Sequence, residues 1–393
     1  MAYLELMEPV VVSLAPKDCQ KWGQWQFPKL SRMKNGGIAL SYCTSGDTEG
    51  GGFAQNKAYS MDGGKTWRAV DEFPSPNGCI LKNGDVIREK DVNAIPADDL
   101  WLPEPVRERW LMDVVWWEFY DSATFPECLK GRWIERYDEA TGKWLAECKQ
   151  VEAPMEYMAV CEDDLEHHPF GYPGRFLVRQ RPHRLTVAPN GDVWMAFYSF
   201  SSQEEYPFQG ASFFVSEDNG KTFTYRSQMN FDMSFVDPDY HPTCEARRPV
   251  GRPPEGFNET ALAFLKNGTI LCILRSDDEY ASFVMRSTDN GYTWSRPERF
   301  DTMSVLPGMV QLDNGAILAT YGRPNVRLRL CADPEGKVWE APVDVLEGNS
   351  CCNNTLLADG PDEALLAYSH FHWPDGEGGY TKAVLVQRVK VHL

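Results

Sequence analysis

Acidic, basic and phenolic side chains stand at matching points of a repeating pattern in this 393-residue chain, and these are the residues with which chemistry could be done. Glu259 and Arg275 open and close one short apolar hairpin, and Tyr368 with His370 closes another. Gln26, Arg181, His183 and Ser304 precede comparable stretches, and Tyr198 and Arg323 follow them. Asp47 and Glu49 lie in a glycine-rich run, Cys43-Thr-Ser-Gly-Asp-Thr-Glu-Gly-Gly-Gly52. A carboxylate can hold or deliver a proton, an arginine can grip a carboxylate through two parallel hydrogen bonds, and an aromatic face can stack on C–H surface. Gathered on one surface, such a mixture suits an anionic or hydroxyl-rich sugar.

What gathers them is a repeat. An apolar pair, then Asn-Gly or Asp-Gly, then an alternating β-rich run occurs six times, with the Asn or Asp at 35, 83, 190, 267, 314 and 359. Asn-Gly and Asp-Gly are tight hairpin signals because glycine accepts the positive φ that the turn requires. The gaps are 48, 107, 77, 47 and 45 residues. A unit of roughly 46 residues is the length of one four-stranded propeller blade. The expected architecture is a single all-β domain over 1–393, a six-bladed β-propeller of four-stranded antiparallel blades, with insertions around 88–136 in blade two and 227–256 before blade four. The first insertion is rich in tryptophan and acidic residues, which makes it a candidate lid or oligomer contact.

A second repeat runs in step with the first: Ser60-Met-Asp-Gly-Gly-Lys-Thr-Trp67, Ser216-Glu-Asp-Asn-Gly-Lys-Thr-Phe223 and Ser287-Thr-Asp-Asn-Gly-Tyr-Thr-Trp294. Weaker copies follow Tyr137 and Cys331. The Asp can accept hydrogen bonds from turn amides and the aromatic can anchor the turn, so these units are structural. With strands named A to D outward, the Asn-Gly turn joins A to B and this unit joins C to D. Both then lie on one face, and the A-strand starts and B-strand ends meet on the opposite one. That opposite face carries Gln26, Glu259, Arg275, Arg323, Tyr368 and the residues named with them, and convergent inner-strand ends are where a ligand is expected. The last hairpin is followed by only one further strand, Ala383–Val391, so the N-terminal run Val10–Leu14 is expected to complete blade six.

The eight-residue unit closely resembles the Asp box of the sialidase superfamily. In that family a tyrosine polarised by a glutamate is the nucleophile, an aspartate in a blade-one loop is the acid/base, and three arginines bind the sialate carboxylate. Gly256-Phe-Asn-Glu-Thr260 with Arg275 resembles the segments that carry the glutamate and the second arginine, Ala367-Tyr-Ser-His-Phe371 resembles the nucleophile segment, and Asp47 falls in the acid/base loop. The resemblance thus implies an exo-acting glycosidase with Glu259, Tyr368 and Asp47 as catalytic residues, and Arg275, Arg181, Arg323, Gln26, His183, Tyr198, His370 and Arg247 as substrate contacts. Two departures point away from sialosides. Gln26-Phe-Pro28 stands where the family has Arg-Ile-Pro, and no arginine occurs over 304–308. Residue by residue a plainer reading stands beside each role: Tyr368 as a core aromatic, Glu259 as half of a structural ion pair, Asp47 as a solvated turn residue, His183 and His370 as ordinary hydrogen-bonding histidines. For the whole chain the alternative is a non-catalytic propeller that binds carbohydrate or protein.

A formal net charge of -18 argues against nucleic acid or an anionic membrane surface as partner. No window of 18 apolar residues occurs, and the first residues lack a basic run followed by an apolar one, so a cytoplasmic protein acting on a glycan is expected. Eleven irregularly spaced cysteines with no C-x-x-C read as reduced thiols, with no metal or other cofactor implied.

Overall fold

The computed structural model describes residues 2–46, 54–90, 92, 95–111, 115–151, 153–154, 156–163, 174–178, 184–200, 208–235, 254–277 and 280–393. Apart from three single-turn 3-10 helices, every regular element among them is a β-strand. The fold is an all-β propeller of antiparallel blades. Contacts divide the chain into two compact units, one formed by Met1–Ser45, Ala54–Gly78 and Asp232–Leu393, the other by Gly46–Phe53 and Cys79–Phe231.

The first unit holds four blades. Blade one is Gln26–Arg32, Ile38–Cys43, Gln55–Ser60 and Arg68–Val70; blade four is Asn258–Phe264, Ile270–Arg275, Ser282–Ser287 and Glu298–Asp301; blade five is Val305–Gln311, Ile317–Gly322, Val326–Cys331 and Val343–Leu346. Each is paired in chain order. Their inner hairpins turn at the expected Asn-Gly steps: Gly268 takes φ +86°, and the Asn267 side chain accepts from Thr269 N at 2.9 Å. Because side chains alternate across a strand, one strand serves two cores. Ile317 and Ala319 pack with Ile273 of blade four, and Leu318, between them in sequence, packs with Leu366 of blade six. Blade six does the same, with Leu365 and Ala367 facing Leu30 and Leu40 of blade one.

Blade six is Thr355–Ala358, Glu363–Pro374 and Tyr380–His392. As expected, Val10–Leu14 pairs with its last strand, Val10 opposite Val386 and Leu14 opposite Ala383. A second N-terminal strand, Tyr3–Leu6, covers the remainder of the same edge, Tyr3 opposite His392. Thirteen residues of edge are thus shared by two short strands.

The second unit holds one regular blade, Cys79–Ile80, Val86–Glu89, Arg132–Asp138 and Lys143–Lys149, and one nine-stranded sheet. That sheet is where the expected count fails. The third hairpin contributes Arg184–Val187, Val193–Phe200, Gln209–Ser216 and Thr224–Asn230, but Tyr157 pairs with Phe200 and so joins Ile95–Pro96, Arg107–Leu111, Val115–Asp121, Tyr157–Asp163 and Arg175–Val178 to it. Among the described residues there are therefore five separate blades rather than the expected six, the remaining repeat being merged into the nine-stranded sheet. The long gap is filled by two insertions, one on each side of the Arg132–Lys149 hairpin, where the spacing had suggested only one. Within the first, Trp117 is packed on Phe119 and Phe200 at ring separations of 6.1 and 5.1 Å, whereas Trp101 is exposed. Most of the segment 227–256 expected as an insertion lies outside the described residues.

The Asp-box turns are hydrogen-bond knots. Asp289 accepts from Thr293 N at 2.9 Å, Thr293 Oγ1 at 2.6 Å and Ser287 Oγ at 2.8 Å, while Ser287 Oγ accepts from Gly291 N at 2.8 Å. The same bonds recur at Asp62 and Asp218.

Candidate functional site

In the first unit the inner hairpins of all four blades share one departure from regular geometry. A non-glycine residue with positive φ lies at, beside or shortly before the start of each innermost strand: Phe27 at +58°, Glu259 at +35°, Leu306 at +39° and, three residues ahead of Thr355, Cys352 at +61°. Trp25 at +54° and Arg323 at +72° belong to the same end of their blades. Register slips between Gln26 and Lys29, Asn258 and Ala261, and Val305 and Gly308 accompany three of them. Bulky residues in this region cost about 1–3 kcal/mol each and persist where the surroundings enforce them, which is characteristic of ligand-handling surfaces. The strain falls on the end of the blades opposite the Asp boxes, the end expected to carry the site.

Glu259 and Arg275 meet there as expected. Arg275 Nη1 lies 2.7 Å from Glu259 Oε1, with side-chain exposures of 11% and 14%. The other Glu259 oxygen accepts from Leu306 N of blade five at 2.8 Å. A second carboxylate not singled out from sequence, Glu255, stands 3.7 Å from Arg275 Nη2 and accepts from Asn258 Nδ2 at 3.0 Å. Buried Asp277 completes the group by accepting from Glu255 N at 3.2 Å, and Ser304 Oγ donates to its carbonyl. Among the described residues, two glutamates face this one guanidinium. The signal for Glu255 was present as a carboxylate four residues before Glu259, in the connection leading to the innermost strand.

Neighbouring blades are stitched at the same end. Arg323 donates from Nε and Nη2 to Cys351 O at 3.2 and 3.0 Å and from Nη2 to Asn353 Oδ1 at 3.2 Å, and Thr355 Oγ1 donates to Pro28 O at 2.6 Å. Gln26 is fully buried; with its amide oriented to satisfy both neighbours, its oxygen accepts from Gly23 N and Lys382 Nζ at 3.3 Å each. It supports a loop and has no open surface for ligand. His370 is half-buried, accepts from His372 N at 3.1 Å, and packs its ring edge-on to Trp373 at 5.6 Å; burial, with His372 beside it, pushes its pKa down.

Tyr368 departs most from its expected role. It is 4% exposed, packs in the core between blades five and six, and donates to Gln387 Oε1 at 3.1 Å. Burial pushes its phenol up to about 12. The structure thus places Tyr368 within an interblade core, with its hydroxyl held by Gln387. Tyr198 is half-buried opposite Ala211 in the nine-stranded sheet of the second unit. Asp47, Arg181, His183 and Arg247 lie outside the described residues.

All ten described cysteines are free thiols, no group of three or more potential metal ligands occurs among the described residues, and no described helix is long and apolar enough to cross a membrane.

Repeating four-stranded antiparallel blades closed by Asp-box turns define a sialidase-like β-propeller. Within that class the chain belongs to the family described as BNR repeat-like domain, whose model matches residues 168–393. Among solved structures, a protein of unknown function from Dyadobacter fermentans is 15% identical over 99% of each chain with a TM-score of 0.59. A mutant α-L-arabinofuranosidase from Fusarium graminearum, in complex with an iminosugar inhibitor, is 14% identical over 97% of each chain with a TM-score of 0.50. A sialidase from Streptococcus pneumoniae is 12% identical over 97% of this chain and 70% of its own, at 0.49. At such identities the likeness to the first two shows the fold alone. No curated protein matches the chain in sequence.

Proposed function

We propose that the chain is a glycoside hydrolase acting on a neutral glycan at the strained end of the first unit's blades. The observation that carries this reading is the placement of Glu255 and Glu259 against one guanidinium there. Glycosidic cleavage needs one group to protonate the leaving oxygen and a second to attack the anomeric carbon or activate water. Glu255, the more exposed glutamate at 25%, takes the second role; Glu259, held by Arg275 and Leu306 N, fixes the geometry and charge around it. Asp47 stays the proposed proton donor on the strength of the family resemblance. Gln26 and the arginine-free run over 304–308 support a substrate without a sialate carboxylate.

The test is release of reducing sugar from a panel of neutral oligosaccharides and an α-sialoside. Cleavage of at least one neutral member and none of the sialoside is expected, and Glu255→Gln should lower turnover by about 10²-fold or more with the fold unchanged. Efficient sialoside cleavage, or full turnover by Glu255→Gln, would defeat the assignment. One observation favours a second reading, a glycan-binding propeller without catalysis: both Glu259 oxygens are already engaged. Binding without cleavage across the panel would select it.

A further inference from the structure

The segment between Val10–Leu14 and Gln26–Arg32 is a loop with an unusual amount of buried polar support. Lys382, 7% exposed, donates to Lys21 O at 2.6 Å and Gln24 O at 3.2 Å, and burial pushes its pKa down. Gln26 adds an acceptor for the same ammonium at 3.3 Å, and Lys17 reaches Asp375 and Glu377 at 3.3 and 2.6 Å. Burying an ammonium is costly unless its donors are satisfied, and here three loop acceptors satisfy it, so displacing the loop would leave a buried charge unpaired.

That conformation leaves Trp22 40% exposed. Its ring meets Phe371 at 5.9 Å and Phe27 at 6.5 Å, both edge to face, and the Arg323 guanidinium lies over it at 5.4 Å. Phe27 and Arg323 are two of the positive-φ residues at the site end of the blades, and Phe371 lies on the blade-six hairpin, whose strands of 12 and 13 residues are the longest among the described residues. A partly exposed indole flanked edge to face by two rings fits a planar apolar surface that carries polar groups at its edge. A hexopyranose with equatorial hydroxyls has that form, C–H groups on its face and hydroxyls around its rim.

We propose that Trp22 is the floor of a sugar-stacking subsite that takes a hexopyranose unit of the glycan, with Lys382 as the residue that positions its loop. The proposal rests on the glycan part of the function proposed above. The probes are cellopentaose, β-1,4-mannopentaose and α-1,5-arabinopentaose, titrated into the Glu255→Gln protein labelled with 5-fluorotryptophan and followed by fluorine NMR. The Trp22 resonance is assigned by its loss in Trp22→Phe. At least one hexopyranose probe is expected to shift that resonance, Trp22→Ala should weaken its Kd about three- to tenfold, and Trp22→Phe should restore most of the loss. An unmoved resonance with both hexopyranose probes, unchanged binding by Trp22→Ala, or a response to the furanose probe alone would overturn the proposal. The two readings fail separately. Probe binding on Trp22 without cleavage by the wild type leaves the subsite standing and removes the hydrolase, whereas cleavage with an unchanged KM in Trp22→Ala does the reverse.

Discussion

At the level of single residues, Glu259 and Tyr368 show what position in a repeat can and cannot reveal. Glu259 opens an innermost strand and Arg275 closes its partner, and register pairs Asn258 with Arg275, so their meeting follows from spacing alone. Tyr368 failed the same logic because in a propeller both faces of a blade are buried. Ala364, Leu366 and Tyr368 enter one interblade core, and Leu365 and Ala367 enter the other. Alternation then cannot say which residue faces a ligand. For Tyr368→Phe the expectation is unchanged turnover and a stability loss of about 1 kcal/mol from the hydrogen bond to Gln387, measured by denaturant unfolding. A large loss of turnover in a folded Tyr368→Phe protein would return the tyrosine to the catalytic group. Trp22 and Lys382 were not legible, because they act through a loop whose shape no turn motif announces.

At the level of elements, the turns were the legible part and the insertions were not. Each Asn-Gly step and each Asp box specifies its own geometry within eight residues, so it can be read without knowing its surroundings. The strands Tyr157–Asp163 and Arg175–Val178 carry no such punctuation, and among the described residues they join the third hairpin through the pair Tyr157 and Phe200. The self-contained character of the Asp box also fixes its acid response. The Thr293 hydroxyl and amide, then the Ser287 hydroxyl, hold Asp289 down at about 2, below its ordinary 3.8. The Thr66 hydroxyl likewise lowers Asp62, and Asp218 is lowered by its bonds to Thr222 and Ser216 although burial, the largest influence on it, acts the other way. A carboxylate with a depressed folded pKa contributes stability above its unfolded pKa and loses it as pH falls through the folded one. Asp289→Asn should therefore melt below wild type at pH 7, with the difference shrinking between about pH 4 and pH 2. A melting difference that stays constant across that range would show that the charge on Asp289 is not what holds the turn.

At the level of the molecule, repeat counting located all six hairpins, but among the described residues five form separate blades and the sixth is merged with inserted strands in a nine-stranded sheet. Closure was legible for a simple reason: a chain that ends one strand short leaves an open edge, and an open edge is a site for aggregation unless something pairs with it. The structure covers it twice over. Leu4 and Leu6 of the first N-terminal strand pack on the core between blades five and six, and Val12 of the second packs on the core between blades six and one. Removing residues 1–15 therefore strips two ladders of hydrogen bonds and uncovers both cores. At roughly 1 kcal/mol or more for each partly buried aliphatic side chain, the loss is on the order of 4 kcal/mol, or about 5 °C in Tm for a chain of 393 residues. Removing residues 1–8 alone should cost about half as much, because Val10–Leu14 still pairs from Val386 to Ala383. The measurement is thermal unfolding of both truncations beside the full chain, with light scattering to register edge-to-edge association. If the longer truncation melts within a degree or two of the full chain and stays monodisperse, the N-terminal strands are decoration and blade six is stable with three strands.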